Sequence, residues 1–348
     1  MRGVSVARFG SLVARGVGAV SHDAGDLTSG FWVVVVTFEG RLTAVRMEDV
    51  RREGPPFACA ADAGSWPPLT GGWRSSLDRT AYLAAVEEVR QRIAAGTVYQ
   101  VNLCRVLEHD LTSDAAISAL AARLAAGNPA PYAAVVDLPE AGLELACASP
   151  EAYLLRRGDR VTSRPIKGTA TTVAELLAKD YAENVMIVDL VRHDLGHVSL
   201  PGSVEVDHLC RVEEHPGLVH LVSDVSGRLR PGTSWRELLD ASFPPGSVSG
   251  APKHTALQAI TDLEPVPRGP YCGAVGWIDA DRDEARLAVG IRTFWADRDV
   301  AGRRVLRFGT GAGITWDSDA RGEWAETELK AARLVALAAG QPLARGRV

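Results

Sequence analysis

Lysine is scarce in this chain, and its positions are informative. Of 38 basic residues only four are lysines: Lys167, Lys179, Lys253 and Lys330. Arginine serves wherever a solvated positive charge is enough. Lysine differs in that it can shed its proton to become a nucleophile or base, and it concentrates charge at a point. Three fall in, and Lys179 just before, segments that are polar, glycine-bearing or awkward for a plain core. Residues 163–169 read Ser-Arg-Pro-Ile-Lys-Gly-Thr, and residues 243–253 read Phe-Pro-Pro-Gly-Ser-Val-Ser-Gly-Ala-Pro-Lys. Residues 183–196, just after Lys179, carry charges on more than a solvated face, and residues 322–330 run Gly-Glu-Trp-Ala-Glu-Thr-Glu-Leu-Lys. Three further segments have the same character: Ala95 to Leu103 with Gln100, Ala148-Ser149-Pro150-Glu151, and Gly309 to Ile314 with its glycine alternation. Glu151 places a carboxylate directly after a proline between two strand candidates, a position suited to proton donation if burial raises its pKa.

The elements that must position these groups follow from periodicity. Helical spacing of apolar residues predicts helices over 77–95, 113–126, 173–195, 235–241, 254–263 and 320–337. Strands are expected at 98–107, 132–136, 143–148, 152–155, 204–206, 219–225, 273–278, 285–291 and 305–309, with the first 75 residues as strands and loops. Strands interspersed with helices, without regular βαβ alternation, indicate an α+β fold with large antiparallel sheets.

Composition removes several function classes. Net charge is −5 and no basic run exists, so there is no electrostatic footprint for nucleic acid. The five cysteines form no C-x-x-C pair, which fits a reducing cytoplasm better than a disulfide framework or structural zinc. No apolar stretch approaches the length of a membrane span, and the N-terminus lacks the apolar core of a secretory signal. His193 and His197 mimic the i, i+4 spacing of zinc proteases, but Gly196 and the short Asp194 make zinc the wrong expectation.

Taken in order from about Ser76 to Leu337, these segments resemble the chorismate-binding enzymes: anthranilate, aminodeoxychorismate, isochorismate and salicylate synthases. The resemblance implies two large antiparallel sheets packed together and flanked by helices, an α/β/β/α sandwich. Residues 1–75 would be a divergent part of the same fold, 76–338 the catalytic domain and 339–348 a tail. It also implies roles. Glu151 matches the general acid, Glu183 and Glu326 the carboxylates that hold Mg2+, and Glu323 a holder of metal-bound water. Arg292, Tyr271, Gly311, Ala312, Gly313, Lys330, Gly168 and Thr169 match substrate-side positions. Bidentate guanidinium pairing suits Arg292 to a carboxylate, and glycines let backbone N–H groups approach a ligand. His220 matches a position near the substrate ring, where it either orients the substrate or is a buried structural histidine.

The same resemblance bears on the reaction. In isochorismate and salicylate synthases a lysine at the position of Gln100 is the base for an attacking water, and glutamine disfavours that chemistry. Anthranilate synthases normally have alanine at the position of Lys167, whereas aminodeoxychorismate synthases have Pro-Ile-Lys-Gly-Thr, as in Pro165 to Thr169. The implied mechanism uses Lys167 as a nucleophile; the plainer alternative is a lysine that pairs a substrate carboxylate. No Gly-x-Cys-x-Gly elbow occurs, so ammonia is expected from solution or from a separate glutamine amidotransferase subunit. Two departures stand out: the stretch after Thr169 is short, and Pro245 replaces a usual glycine. Anthranilate synthase component I and a catalytically silent chorismate-binding subunit are the competing functions.

Overall fold

The computed structural model describes residues 5–53, 64–215 and 218–340. The first strands, β1 (Val6–Phe9), β2 (Leu12–Ser21), β3 (Phe31–Val36), β4 (Leu42–Arg52) and the short β5 (Arg74–Ser75), precede helix α1 (Arg79–Ala94). Strand β6 (Gln100–Asp110), α2 (Ile117–Gly127), β7 (Tyr132–Leu138), β8 (Leu143–Ser149), β9 (Ala152–Arg157), β10 (Arg160–Arg164) and β11 (Ile166–Ala170) lead into α3 (Ala178–Gly196). Then come β12 (Glu205–His215), β13 (Leu218–Arg228), α4 (Trp235–Ser242), the single turn α5 (Gly246–Ser249), β14 (Gly250–Ala251) and α6 (Lys253–Leu263). The described chain closes with β15 (Ala274–Asp279), β16 (Glu284–Val289), β17 (Thr293–Arg298), β18 (Arg304–Ile314) and α7 (Ala320–Ala338).

Among the described residues the named strands pair antiparallel, along the path β6-β18-β17-β8-β7-β1-β2-β4-β3-β15-β16-β9-β10-β13, with β11 and β12 both on β13. The fold is α+β, as expected, but the expectation of two sheets needs refinement. The 18 strands of the described residues form one hydrogen-bonded network. The join is β1, which pairs β2 through a tight hairpin and β7 on its other edge. Gly10 makes that hairpin possible with φ +63°, a conformation that costs glycine little. The two halves still share one core: Val33, Ala44, Val45 and Leu154 from one half pack in the same cluster as Val101, Leu103 and Leu145 from the other.

Helices cover the outside. α2 and α7 bury Leu120, Leu124 and Leu334 over Phe294 and Phe308 in a second core. α1 is capped by Asp78, which accepts from the Ala81 amide at 2.8 Å, and buries Tyr82, Val86 and Val89. α3 lays Ile187, Val188, Val191 and Leu195 inward and packs on β11 and β13. Its buried Asn184 ties it to β13 by donating to the Leu221 carbonyl at 3.1 Å and accepting from Ser223. Periodicity missed β10, β11 and β17, which are short and polar or interrupted. No helix among the described residues is long and apolar enough to cross a membrane.

Candidate active site

The strand missed by periodicity carries Lys167. In β11, Lys167 lies opposite Leu221 of β13 and Thr169 opposite His220, so Gly168 is an extra residue between two pairs. Such a bulge re-aims the neighbouring side chain. Gly168 has φ +77°, and a β-carbon there would stand 2.8 Å from Cβ of Asp180 and 3.1 Å from Leu221. Only glycine lets the start of α3 come this close. Gly168 therefore shapes the strand. Thr169 follows it, but the placement of its side chain lies outside what is described.

The Lys167 side chain reaches the other end of the pairing path. A β-carbon on Gly313 of β18 would stand 3.3 Å from Lys167 Nζ, and closer still to the side-chain amide of Gln100 on β6. Gln100 is buried; its Nε2 lies 3.5 Å from Glu183 Oε2 on α3, and its Oε1 has no hydrogen-bond partner among the described residues. Lys167, Gln100, Glu183 and Gly313 thus converge where the two ends of the sheet meet.

Glu151 sits between β8 and β9 and is 3% exposed. Burial pushes its carboxyl up to about 7, against the opposing pull of Ser247, the charge of Lys167 and the Ile166 backbone. The desolvation penalty on the anion is larger than these three together, so the acid stays protonated up to neutral pH.

Three carboxylates and three of the four lysines form the rest of the cluster. Burial raises Glu183, with Lys167 and Lys179 pulling it down and Asp180 and Glu326 pushing it up. Burial also raises Glu323, which accepts from Ser318 at 2.6 Å. For Glu326, burial is outweighed by Lys330, then Lys167 and Lys179, and the carboxyl lies below the usual range. Lys330 Nζ stands 2.6 Å from Glu326 Oε1 and donates to the Gly311 carbonyl at 3.1 Å. Among the described residues no three acidic, His or Cys side chains converge closely enough to hold an ion by themselves. Two mutually repelling carboxylates on separate helices, Glu183 and Glu326, nevertheless fit Mg2+, which prefers oxygen donors and keeps several waters.

Arg292 adopts φ 52° just before β17. Burial alone lowers its guanidinium, with no carboxylate partner among the described residues. Gly311, Ala312 and Gly313 are strand residues opposite Cys104, Leu103 and Asn102 of β6, where no strand was expected past Gly309. β17 pairs β18 only as far as Phe308, so beyond it one edge of β18 faces no strand. Gly311 is needed for packing, since a β-carbon there would stand 2.5 Å from Cys104 Sγ. Tyr271 is placed apart: its ring lies against Gly309 and its hydroxyl 3.8 Å from Cys104 Sγ. His220 is buried on β13 beside Thr169. Lys253 is the lysine outside the cluster, paired with Asp194 at 2.6 Å. Sequence reasoning gave no role to Ser247, although it lies in a singled-out segment; nothing short of tertiary contact sets it beside Glu151.

Residues 58–336 match the family described as chorismate binding enzyme, and the chain belongs to that family. Among curated relatives, an anthranilate synthase component 1 of Haloarcula marismortui is 38% identical over 76% of this chain and 54% of its own. An aminodeoxychorismate synthase component 1 of Bacillus subtilis is 34% identical over 76% and 57%, and an aminodeoxychorismate synthase of Streptomyces griseus is 42% identical over 75% and 36%. The match spans little more than half the length of the component 1 relatives. In fold, the chain is similar to a 2,3-dihydroxybenzoate-specific isochorismate synthase of Bacillus anthracis, with a TM-score of 0.80, 24% identity and 97% of both chains covered. The menaquinone-specific isochorismate synthase of Escherichia coli superposes with a TM-score of 0.78 at 19% identity, over 97% of this chain and 89% of that one.

Proposed function

We propose that this chain is the synthase component of an aminodeoxychorismate synthase, converting chorismate and ammonia to 4-amino-4-deoxychorismate. The observation that carries the reading is Lys167 Nζ beside Gly313 and Gln100, within the electrostatic reach of Glu151, Glu183 and Glu326. Hydroxide leaves a ring carbon poorly unless protonated, and Glu151 keeps a proton up to about pH 7. In this reading Lys167 adds at ring C2 while the C4 hydroxyl takes the Glu151 proton and departs as water. Ammonia then adds at C4 and expels Lys167, a two-step displacement by a covalent nucleophile. Gln100, an amide, offers no base for a competing water. Arg292, half-buried and without a carboxylate partner among the described residues, is poised for one on the substrate. Mg2+ held by Glu183 and Glu326 would supply positive charge for a second substrate carboxylate and offset two of the acids that surround Lys167. Glu323 would position water beside it. The ammonia would come from a separate glutamine amidotransferase.

Anthranilate formation is the second reading, favoured by relatives 38% identical to the chain. The test is to incubate purified protein with chorismate, Mg2+ and ammonium and to identify the product by mass and by its conversion with a separate lyase. Fluorescent anthranilate would overturn the first reading; no turnover at all would leave a silent chorismate-binding subunit.

A further inference from the structure

A proton donor spent once per turnover must be recharged, and Glu151 is too buried to exchange with bulk water directly. A small cavity lies against it, lined in part by Tyr153, Ser163, Asp194, Ser242 and Ser247. It offers ≈ 10 Å³ to the centre of a water molecule, the room one water needs. Tyr153 and Ser242 are already committed. Ser242 Oγ donates to the Leu238 carbonyl at 2.7 Å, so the Tyr153 hydroxyl supplies the proton of their 2.6 Å bond. Ser247 is different: its hydroxyl is close enough to lower the Glu151 carboxyl, yet it is buried without a full hydrogen bond among the described residues. It can accept one proton and release another. Asp194 Oδ2 takes Lys253 Nζ at 2.6 Å, and Oδ1 faces His193 Nδ1 at 3.6 Å; the His193 side chain is 68% exposed. Burial raises the Asp194 carboxyl above its ordinary range, with Lys253 and His193 pulling the other way.

We propose that Ser247, a water in this cavity, Asp194 and His193 form the route by which Glu151 regains its proton from solvent. The inference rests on the reading of Glu151 as the acid for a leaving hydroxyl. In the reaction the C4–O bond breaks, the oxygen takes the Glu151 proton and leaves as water, and a carboxylate remains. That carboxylate takes a proton from Ser247, which is refilled from the cavity water, which is refilled through Asp194 from a protonated His193. Lys253 pairs with Asp194 along this path, and its charge opposes protonation of Asp194.

The test compares the wild-type protein with Ser247→Ala and His193→Asn by rapid mixing with chorismate, Mg2+ and ammonium. A first turnover at the wild-type rate followed by a steady state about tenfold slower is expected in both variants, with KM unchanged. Added imidazole should restore His193→Asn, which a purely structural role would not allow. Independently of turnover, the Glu151 carboxyl stretch, assigned by its loss in Glu151→Gln, should exchange with D2O more slowly in both variants. Unchanged exchange and an unchanged steady state in both would overturn the route. Absence of wild-type turnover would instead defeat the functional reading, with the exchange rates still deciding the path.

Discussion

Lys167 lies against the backbone of Gly313 so closely that a β-carbon there would stand 3.3 Å from its Nζ. The two residues come from opposite ends of the strand-pairing path, β11 and β18, and their meeting defines the reaction space.

Gly313→Ala should therefore remove activity out of proportion to its effect on folding. The new methyl group meets the ends of two side chains, Gln100 and Lys167, which can shift, so the melting temperature should change little. A displaced nucleophile costs about a hundredfold in rate. Wild-type kcat in a folded Gly313→Ala protein would count against Lys167 as the reacting group.

Lys167→Ala should abolish aminodeoxychorismate formation. If the lysine shields C2 from ammonia by occupying it first, anthranilate fluorescence should appear in the variant. Undiminished aminodeoxychorismate would show that the lysine only pairs a carboxylate.

Glu151 ties both activity and stability to pH, and replacing it moves the two in opposite directions. Its folded pKa of about 7 lies above the ordinary 4.5, so its contribution to stability is fully present below about pH 4.5 and is lost as pH rises through about 7. Glu151→Gln lacks this dependence. The variant should be more stable than wild type at pH 8 by on the order of 3 kcal/mol, a difference that shrinks toward pH 5. Its turnover should fall by about 10²–10⁴. Denaturant melts and rates across pH read both; a constant stability difference from pH 5 to 8 would contradict the raised pKa.

Arg292 is a half-buried cation with no anion to offset it among the described residues. Arg292→Gln should leave stability unchanged or higher. KM for chorismate should rise tens- to hundredfold, the worth of about 1.5–3 kcal/mol for a charged hydrogen bond. A large loss of stability with KM unaltered would make Arg292 structural.

Magnesium should raise the melting temperature of the wild-type protein, because a ligand that binds only the folded state stabilises it. Glu183→Gln should be at least as stable as wild type in chelator, since burial opposes the Glu183 charge, and should lose the magnesium response. Equal magnesium shifts in both proteins would place the ion elsewhere.

The sequence by itself determined the fold class and most of the candidate chemistry. Helical periodicity located α1 and α7, whose buried stripes are long enough to repeat, and four lysines in an arginine-rich chain pointed to segments worth following. It did not reveal β11. That strand is short, contains the bulge at Gly168 and alternates too little for a period of two to register. Nor did it show that the strands join into one network, because that depends on β1 pairing two distant partners at once. Tertiary structure alone decided that Glu151 is buried enough to hold its proton, that Tyr271 packs toward Cys104, that Lys330 is bound to Glu326, and that Ser247 and Asp194 share a cavity with Glu151. Burial and charge pairing are properties of neighbours far apart in the chain, and local spacing carries no record of them.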